Sequence, residues 1–298
     1  MAGFTAVDLS QLAPPEVVEP LDYEGILGAL VSDLRNRAPE FDALVESDPA
    51  FKILEVAAYR EMLLRQRVNE AAQGVMLAYA GGADLDQIGA NFSVARQVLD
   101  PGNPAALPPV PPTYESDADF RRRIQLSPEG YTVAGSAGSY VFHALGADAA
   151  VRDAQAVSPT PGAVTVYLLA RDRDGAAGVD LVDAVQAVLS ADAVRPMTDS
   201  VTVQSAVITS YAVTAALTVY PGPDAEVVRQ TAVTAAETYV AAQHRIGHDV
   251  TLSGLYAALH RPGVQKVTLT SPAADLVIGA GEAAWCSGVT VTLGGTDV

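Results

Sequence analysis

The sequence predicts an α+β chain: an N-terminal helical segment, a proline-rich linker, then two small α/β units of βαβ-type sandwich and a β tail. Three observations carry this. From Phe51 to Ala80 there is no Pro and the one Gly is Gly74, a run long enough for a single helix of many turns. Pro101, Pro104, Pro108, Pro109, Pro111 and Pro112 crowd into residues 100–113. Beyond residue 150, alternating β-branched runs take turns with runs of helical spacing, and they do so twice.

Length and composition bound the function before any motif is read. At roughly 150 residues per domain, 298 residues make about two domains or three small ones. With 49% hydrophobic and 18% charged residues, global disorder is excluded. The 35 acidic residues against 18 Lys and Arg give a net charge of −17, which repels phosphate backbones and anionic lipid. Neither nucleic acid nor a membrane is expected as a partner. A single cysteine, Cys286, excludes a disulfide framework and a multi-cysteine zinc site. The opening residues carry no basic and apolar leader pattern, and no apolar run reaches the ~18–20 residues of a span. The expected compartment is the cytoplasm, or a particle assembled there.

Residues 1–99 read as helical. Leu21 to Arg37 has helical apolar spacing and stops near Pro39. Asp48-Pro49 is a start signal, with Asp as cap and Pro at the first helical position. The helix that follows runs to Ala80 and is stopped by Gly81-Gly82. Asp84 and Gln87 have capping-box spacing for a short helix with Leu85, Ile88 and Phe92.

The long helix is apolar on two sides. One stripe is Ile53, Ala57, Leu64, Val68, Ala71, Val75 and Tyr79, interrupted by Arg60. The other is Phe51, Leu54, Ala58, Met62, Arg65, Asn69, Ala72 and Met76. A helix apolar on two sides is buried on two sides. Either it is the central helix of a compact domain, or one stripe packs internally and the other meets another chain. Under the second arrangement the Phe51–Met76 stripe is the expected partner-helix interface.

Residues 100–113 are too proline-dense for helix and read as a semi-rigid extended spacer. In the connector, residues 114–149, Ser116 and Asp119 start a helix that carries Phe120, Ile124 and Leu126. The basic run Arg121-Arg122-Arg123 reads as a solvated face pairing with Glu115, Asp117 and Asp119, in preference to an anion site. Gly135-Ser-Ala-Gly-Ser139 lacks the Lys of a phosphate loop and reads as a tight entry to the helix at Tyr140–Leu145.

The first α/β unit, residues 150–207, has strands at Val151–Val157, Ala163–Ala170 and Ser200–Ala206 around a helix at Val179–Leu189. The second, residues 208–272, has strands at Tyr211–Tyr220 and Val264–Thr270. Between them lie a turn at Pro221–Asp224 and helices at Ala225–Gln243 and Leu252–Leu259. In the tail, residues 273–298, Ala274–Ile278 and Gly288–Leu293 read as strands that extend the preceding sheet or reach a neighbour.

No catalytic constellation assembles. His244 and His248 have the spacing of a helical metal pair, but Gly247 lies between them where the helix ends. Cys286 has no neighbouring His, and no serine sits in a GxSxG elbow. No catalytic residue, metal ligand or cofactor site is expected.

One resemblance spans nearly the whole chain. Phe51-Lys-Ile-Leu-Glu-Val-Ala-Ala-Tyr-Arg-Glu61, Arg65-Gln-Arg67, Asn69-Glu70 and Ala78-Tyr-Ala-Gly-Gly-Ala-Asp-Leu-Asp-Gln-Ile-Gly89 resemble the baseplate J family of contractile phage tails and related injection particles. The likeness continues through Glu115–Ile124, Gly135–Tyr140, Val194-Arg-Pro-Met-Thr-Asp-Ser-Val201, Tyr256–His260 and Pro262-Gly-Val264, in order.

The resemblance implies a structural baseplate wedge protein, not an enzyme, with no cofactor. In that family two J-type copies and one tail protein I-type subunit form each wedge. Their N-terminal helices make a shared bundle, so the N-terminal segment here would be bundle-forming. A lysozyme-like wedge protein docks on the bundle. The α/β parts of neighbouring wedges close a ring around the hub, whose rearrangement releases sheath contraction. The implied location is the virion tail baseplate, assembled in the bacterial host cytoplasm. A bacteriocin-like particle would use the same role. The rival of another class is a cytoplasmic α/β enzyme such as a hydrolase, which needs a convergent polar pocket that these residues do not supply.

Overall fold

A computed structural model describes residues 7–9, 12, 13, 15, 17, 19–222 and 224–298. Most of the opening segment, and Pro223 of the expected turn, lie outside the described residues. The chain divides into two compact units. One holds the described residues up to Arg96 together with Ser116–Ile124; the other holds Gln97–Glu115 and Gln125–Val298.

The first unit is helical. Helix α1 (Tyr23–Arg37) is capped by Asp22, whose carboxylate accepts from Gly25 N–H at 3.1 Å. Helix α2 (Pro49–Gly74) starts at Asp48-Pro49, but the Asp48 carboxylate accepts from Val45 N–H, outside the helix. The helix ends at Gly74, not at Ala80. Residues 75–79 form turns, and the Arg121 guanidinium donates to the carbonyls of Leu77 (2.7 Å) and Ala80 (2.6 Å). Those carbonyls therefore need no helical partners.

Helix α3 (Gly82–Asn91) opens two residues before Asp84, with Gly81 as its cap. Asp117 supplies the missing acceptor, taking Gly82 N–H at 3.1 Å. That hydrogen bond, with Arg96 nearby, holds the Asp117 carboxyl below the usual range. Helix α4 (Asp117–Leu126) is capped as expected: Ser116 Oγ accepts from Asp119 N–H at 3.1 Å. The solvated basic face is corrected. Arg121 reaches backbone carbonyls, and Arg123 is buried, donating to the Ala95 carbonyl at 3.2 Å. Three consecutive residues span about 200° of a helix and cannot share one face. Phe120, fully buried, lies under the Arg96 guanidinium at 4.7 Å, and Arg96 pairs with Asp86 (2.7 Å) and Asp117 (2.8 Å).

The second unit begins with a correction. The proline-rich stretch is a hairpin, not an extended spacer. Strands β1 (Val98–Asp100) and β2 (Thr113–Tyr114) pair antiparallel, and Asn103 and Val110 exchange backbone hydrogen bonds of 2.9 and 3.0 Å. Residues 104–108 make the turn, and Gly102, at φ +69°, leads into the bridge with its N–H on the Asp100 carboxylate at 2.8 Å.

Helix α5 (Ala137–Ala147) is capped by Ser136, which confirms a tight helix entry at the glycine-rich stretch. Strands β3 (Val151–Thr160), β4 (Ala163–Ala170) and β5 (Ser200–Ser205) form a sheet of that order. β3 and β4 are antiparallel, and helix α6 (Val179–Leu189) makes the crossover to a parallel β5. Their core gathers Tyr140, Ala144, Val166, Leu168, Val185 and Leu189.

The second sheet has the order β7-β6-β8, from β6 (Val207–Val219), β7 (Val264–Ser271) and β8 (Glu282–Thr296). Helices α7 (Ala225–Gln243) and α8 (Leu252–Leu259) link β6 to an antiparallel β7, and β8 returns parallel to β6. The two sheets thus differ in topology. The expected strand at Ala274–Ile278 is a single bridge from Leu276 to Val250.

One residue, Ala206, separates β5 from β6, so the chain runs from sheet to sheet as one extended ribbon. Ala206 N–H binds the Leu168 carbonyl of β4, and Val207 N–H binds the Gly281 carbonyl that leads into β8. Leu169, Ala206, Ile246 and Ala283 bury this junction. Buried Asp153 accepts from Ile246 N–H at 3.0 Å, and Gln155 accepts from Gly281 N–H at 2.9 Å.

Candidate partner-binding helix face

Helix α2 is the candidate site because it carries more apolar surface than one neighbour covers. The stripe expected to meet a partner is instead the one α1 occupies. Phe51, Leu54 and Met62 pack half-buried against Ile26 and Leu27, and Ala58, at 0% exposure, sits where the two helices cross. A small side chain there lets the backbones approach.

Further along, Asn69 is buried and exchanges hydrogen bonds with the Glu19 backbone, accepting at 3.1 Å and donating at 2.8 Å. Arg65 binds Glu61 (2.7 Å) and Glu19 (2.9 Å). Ala72 and Met76 are half-buried. The structure therefore brings Phe51, Leu54, Ala58 and Met62 into one intrachain cluster. It assigns Arg65 and Asn69 to holding the segment before α1.

The open face is the other stripe. Ile53 and Leu64 are each 68% exposed, Val68 58% and Val75 76%, and Ala57 and Ala71 are exposed between them. Apart from Arg60 the row is apolar. Its steps run four, three, four, four, three, four, so Ile53, Leu64 and Val75 fall eleven residues apart. An eleven-residue repeat, at 3.67 residues per turn, suits helices that pack nearly straight or with a slight right-handed supercoil. Covering a Leu or Val side chain is worth roughly 1.5–3 kcal/mol, so a partner helix along this row gains several such contacts.

The purity of this row was the available signal. The Phe51–Met76 stripe contains Arg65 and Asn69, which need polar partners, and the chain before α1 supplies them.

Open grooves flank α1. One of about 620 Å³ is lined by Asp22, Gly25, Leu30, Asp33, Glu61 and Arg65 among others; a second of about 470 Å³ lies by Leu27, Val31, Arg35 and Phe51. Both include Ser32, but no His, Cys or Lys lines either groove. Elsewhere, buried His244 donates through Nδ1 to the Ala284 carbonyl at 2.7 Å and stacks edgewise on Trp285. The Tyr140 hydroxyl donates to Asp199 at 2.8 Å; burial first, then that carboxylate, raises the phenol pKa. Among the described residues no cluster of His, Cys, Asp and Glu could hold a metal ion, and no helix is long and apolar enough to cross a membrane.

Three models of one family match the chain in order. They are the Baseplate J-like N-terminal domain over residues 46–103, the Baseplate J-like central domain over 132–205 and the Baseplate J-like protein C-terminal domain over 211–292. Baseplate protein J of Escherichia phage P2 is 46% identical over 298 residues, which is 98% of this chain and 99% of that one. A chain in the cryo-EM structure of the six-fold symmetrised anti-feeding prophage baseplate superposes with a TM-score of 0.41 at 16% identity. That match covers 62% of this chain and 44% of that chain.

Proposed function

The chain belongs to the baseplate J family, and from that premise we propose that it is a structural wedge protein of a contractile-tail baseplate, not an enzyme. The observation that carries the helix-docking part is the exposed apolar row of α2, inside the region matched by the N-terminal family model. On this reading the row packs against helices of other baseplate chains. The bundle so formed also draws on a second copy of the protein and a tail protein I-type subunit, with a lysozyme-like wedge protein docking on it. The second unit meets neighbouring wedges and the hub. Rearrangement of that ring passes receptor contact on to the sheath, which requires two stable packings of the same interfaces.

The test is a double variant, Leu64→Glu with Val68→Glu. Both residues are exposed, so the isolated chain keeps its helical content and melting behaviour. In cells making tail particles, the variant should be missing from gradient-purified tails, and those tails should lack a complete baseplate. Full incorporation would remove α2 as the docking helix. Intact tails formed without any of this chain would remove the wedge reading itself.

A further inference from the structure

The open row of α2 contains one charge, and α2 leaves it without a counter-ion. Every carboxylate on the helix has a cation of the same helix: Glu55 with Lys52 at 3.0 Å, Glu61 with Arg65 at 2.7 Å and Glu70 with Arg67 at 3.6 Å. Arg60 lies between Ala57 and Leu64, exposed, and its guanidinium has no ion pair or hydrogen bond to any described residue. Covering the row with a helix takes the guanidinium out of water. Without a carboxylate opposite, that desolvation is costly enough to oppose docking.

A second copy of α2 laid along the full length of the row does not supply one. In parallel register Arg60 meets Arg60. In an antiparallel arrangement centred on Leu64 it meets Val68 beside Arg67. Neither brings up a carboxylate that α2 has not already committed.

Resting on the helix-docking reading above, we propose that the exposed row takes a helix of a different chain, apolar at the same eleven-residue repeat, with a carboxylate seated against Arg60. That ion pair sets the register. Arg60 stands about 10 Å along the axis from Ile53 and about 22 Å from Val75, so one off-centre carboxylate admits one direction and one alignment. A single polar group in an apolar seam is a known means of choosing register and partner.

The experiment places a photo-crosslinking amino acid at Arg60, and separately at Leu64, in the full chain within assembled tail particles. Joined peptides are identified by mass spectrometry. The expected result is that both positions join the same helix of a different chain, with an Asp or Glu within one turn of the Arg60 junction. Arg60→Glu then lowers incorporation into tails on the order of 30-fold or more, and changing that acid to Arg in the partner restores it.

Three results overturn the proposal while leaving helix docking in place: Leu64 joins a helix with no acid near Arg60, both positions join α2 of a second copy, or Arg60→Glu assembles normally. If Leu64 joins nothing in the particle, helix docking itself fails, and this proposal with it.

Discussion

The side-chain amide of Gln186, on α6, accepts a hydrogen bond from Val203 N–H at 2.7 Å and donates to the carbonyl of Val201 at 3.0 Å. It thus occupies the edge of β5 as a neighbouring strand would. Alternate residues of a strand turn their polar groups to opposite edges. Even-numbered Ala206 faces β4, whereas Val207 faces the chain entering β8. Val203 shares the edge of Val207. One edge of the ribbon is therefore completed first by a glutamine and then by a strand, which leaves fewer free groups for unwanted pairing.

Gln186→Leu should cost about 1–3 kcal/mol, because the Val201 carbonyl and Val203 N–H lose their partners in a half-buried setting. Self-association should also rise with concentration as the edge opens. Chemical denaturation and light scattering of the full chain read the two effects separately. Gln186→Glu keeps the acceptor for Val203 but sets a carboxylate against a carbonyl, and it should be destabilising too.

Gly89→Ala tests the packing of the first unit. A Cβ at Gly89 would press into the Phe120 ring and come within 2.7 Å of the Val94 carbonyl oxygen. Neither neighbour can yield, since Phe120 is fully buried under Arg96. The expected loss is about 1–3 kcal/mol or more, read as a lower unfolding midpoint.

The two faces of α2 should respond oppositely. Ala58→Leu, at a position with no free space against α1, should destabilise the isolated chain by about 1–3 kcal/mol. Val68→Glu, on the open row, should change it by no more than about 0.5 kcal/mol. Equal destabilisation by both would mean that the open row is covered within the chain.

Stability should fall in mild acid. Burial above all holds His244 below its ordinary 6.5, aided by Arg152 and opposed by the Ala284 carbonyl, Asp174 and Asp153. Burial also lowers His143, against a hydrogen bond to Gly130. A histidine whose folded pKa is depressed takes up its proton more readily unfolded. Its contribution is intact above pH 6.5 and is lost as pH falls toward the folded pKa. His244→Gln should flatten the decline of unfolding free energy below that point, and the His143→Gln double variant should flatten it further.

Elements whose boundaries rest on local chemistry were legible in the sequence. α6, α7, α8 and β4 occupy the residues that apolar spacing and β-branched alternation mark out. Ser116 and Ser136 cap the helices they precede. Features set by distant partners were not legible. Asp117 moves the start of α3, and Arg121 lets α2 end early, because each answers orphan backbone groups from more than thirty residues away.

The faces of α2 were legible as two stripes, but their assignment depended on Glu19 and Ala58 meeting particular partners. Proline density ruled out helix at residues 100–113. It could not show that Asn103 and Val110 would find each other across the turn.

The passage from β5 through Ala206 into β6 has a mechanical meaning. A pull along Ser200–Val219 travels roughly 60 Å through covalent backbone without meeting a loop that could lengthen. The bonds to β4, β7 and β8 stand crosswise to that pull and are loaded together, in shear, not opened one after another. Displacement at Ser200 is therefore delivered to Val219 with little slack.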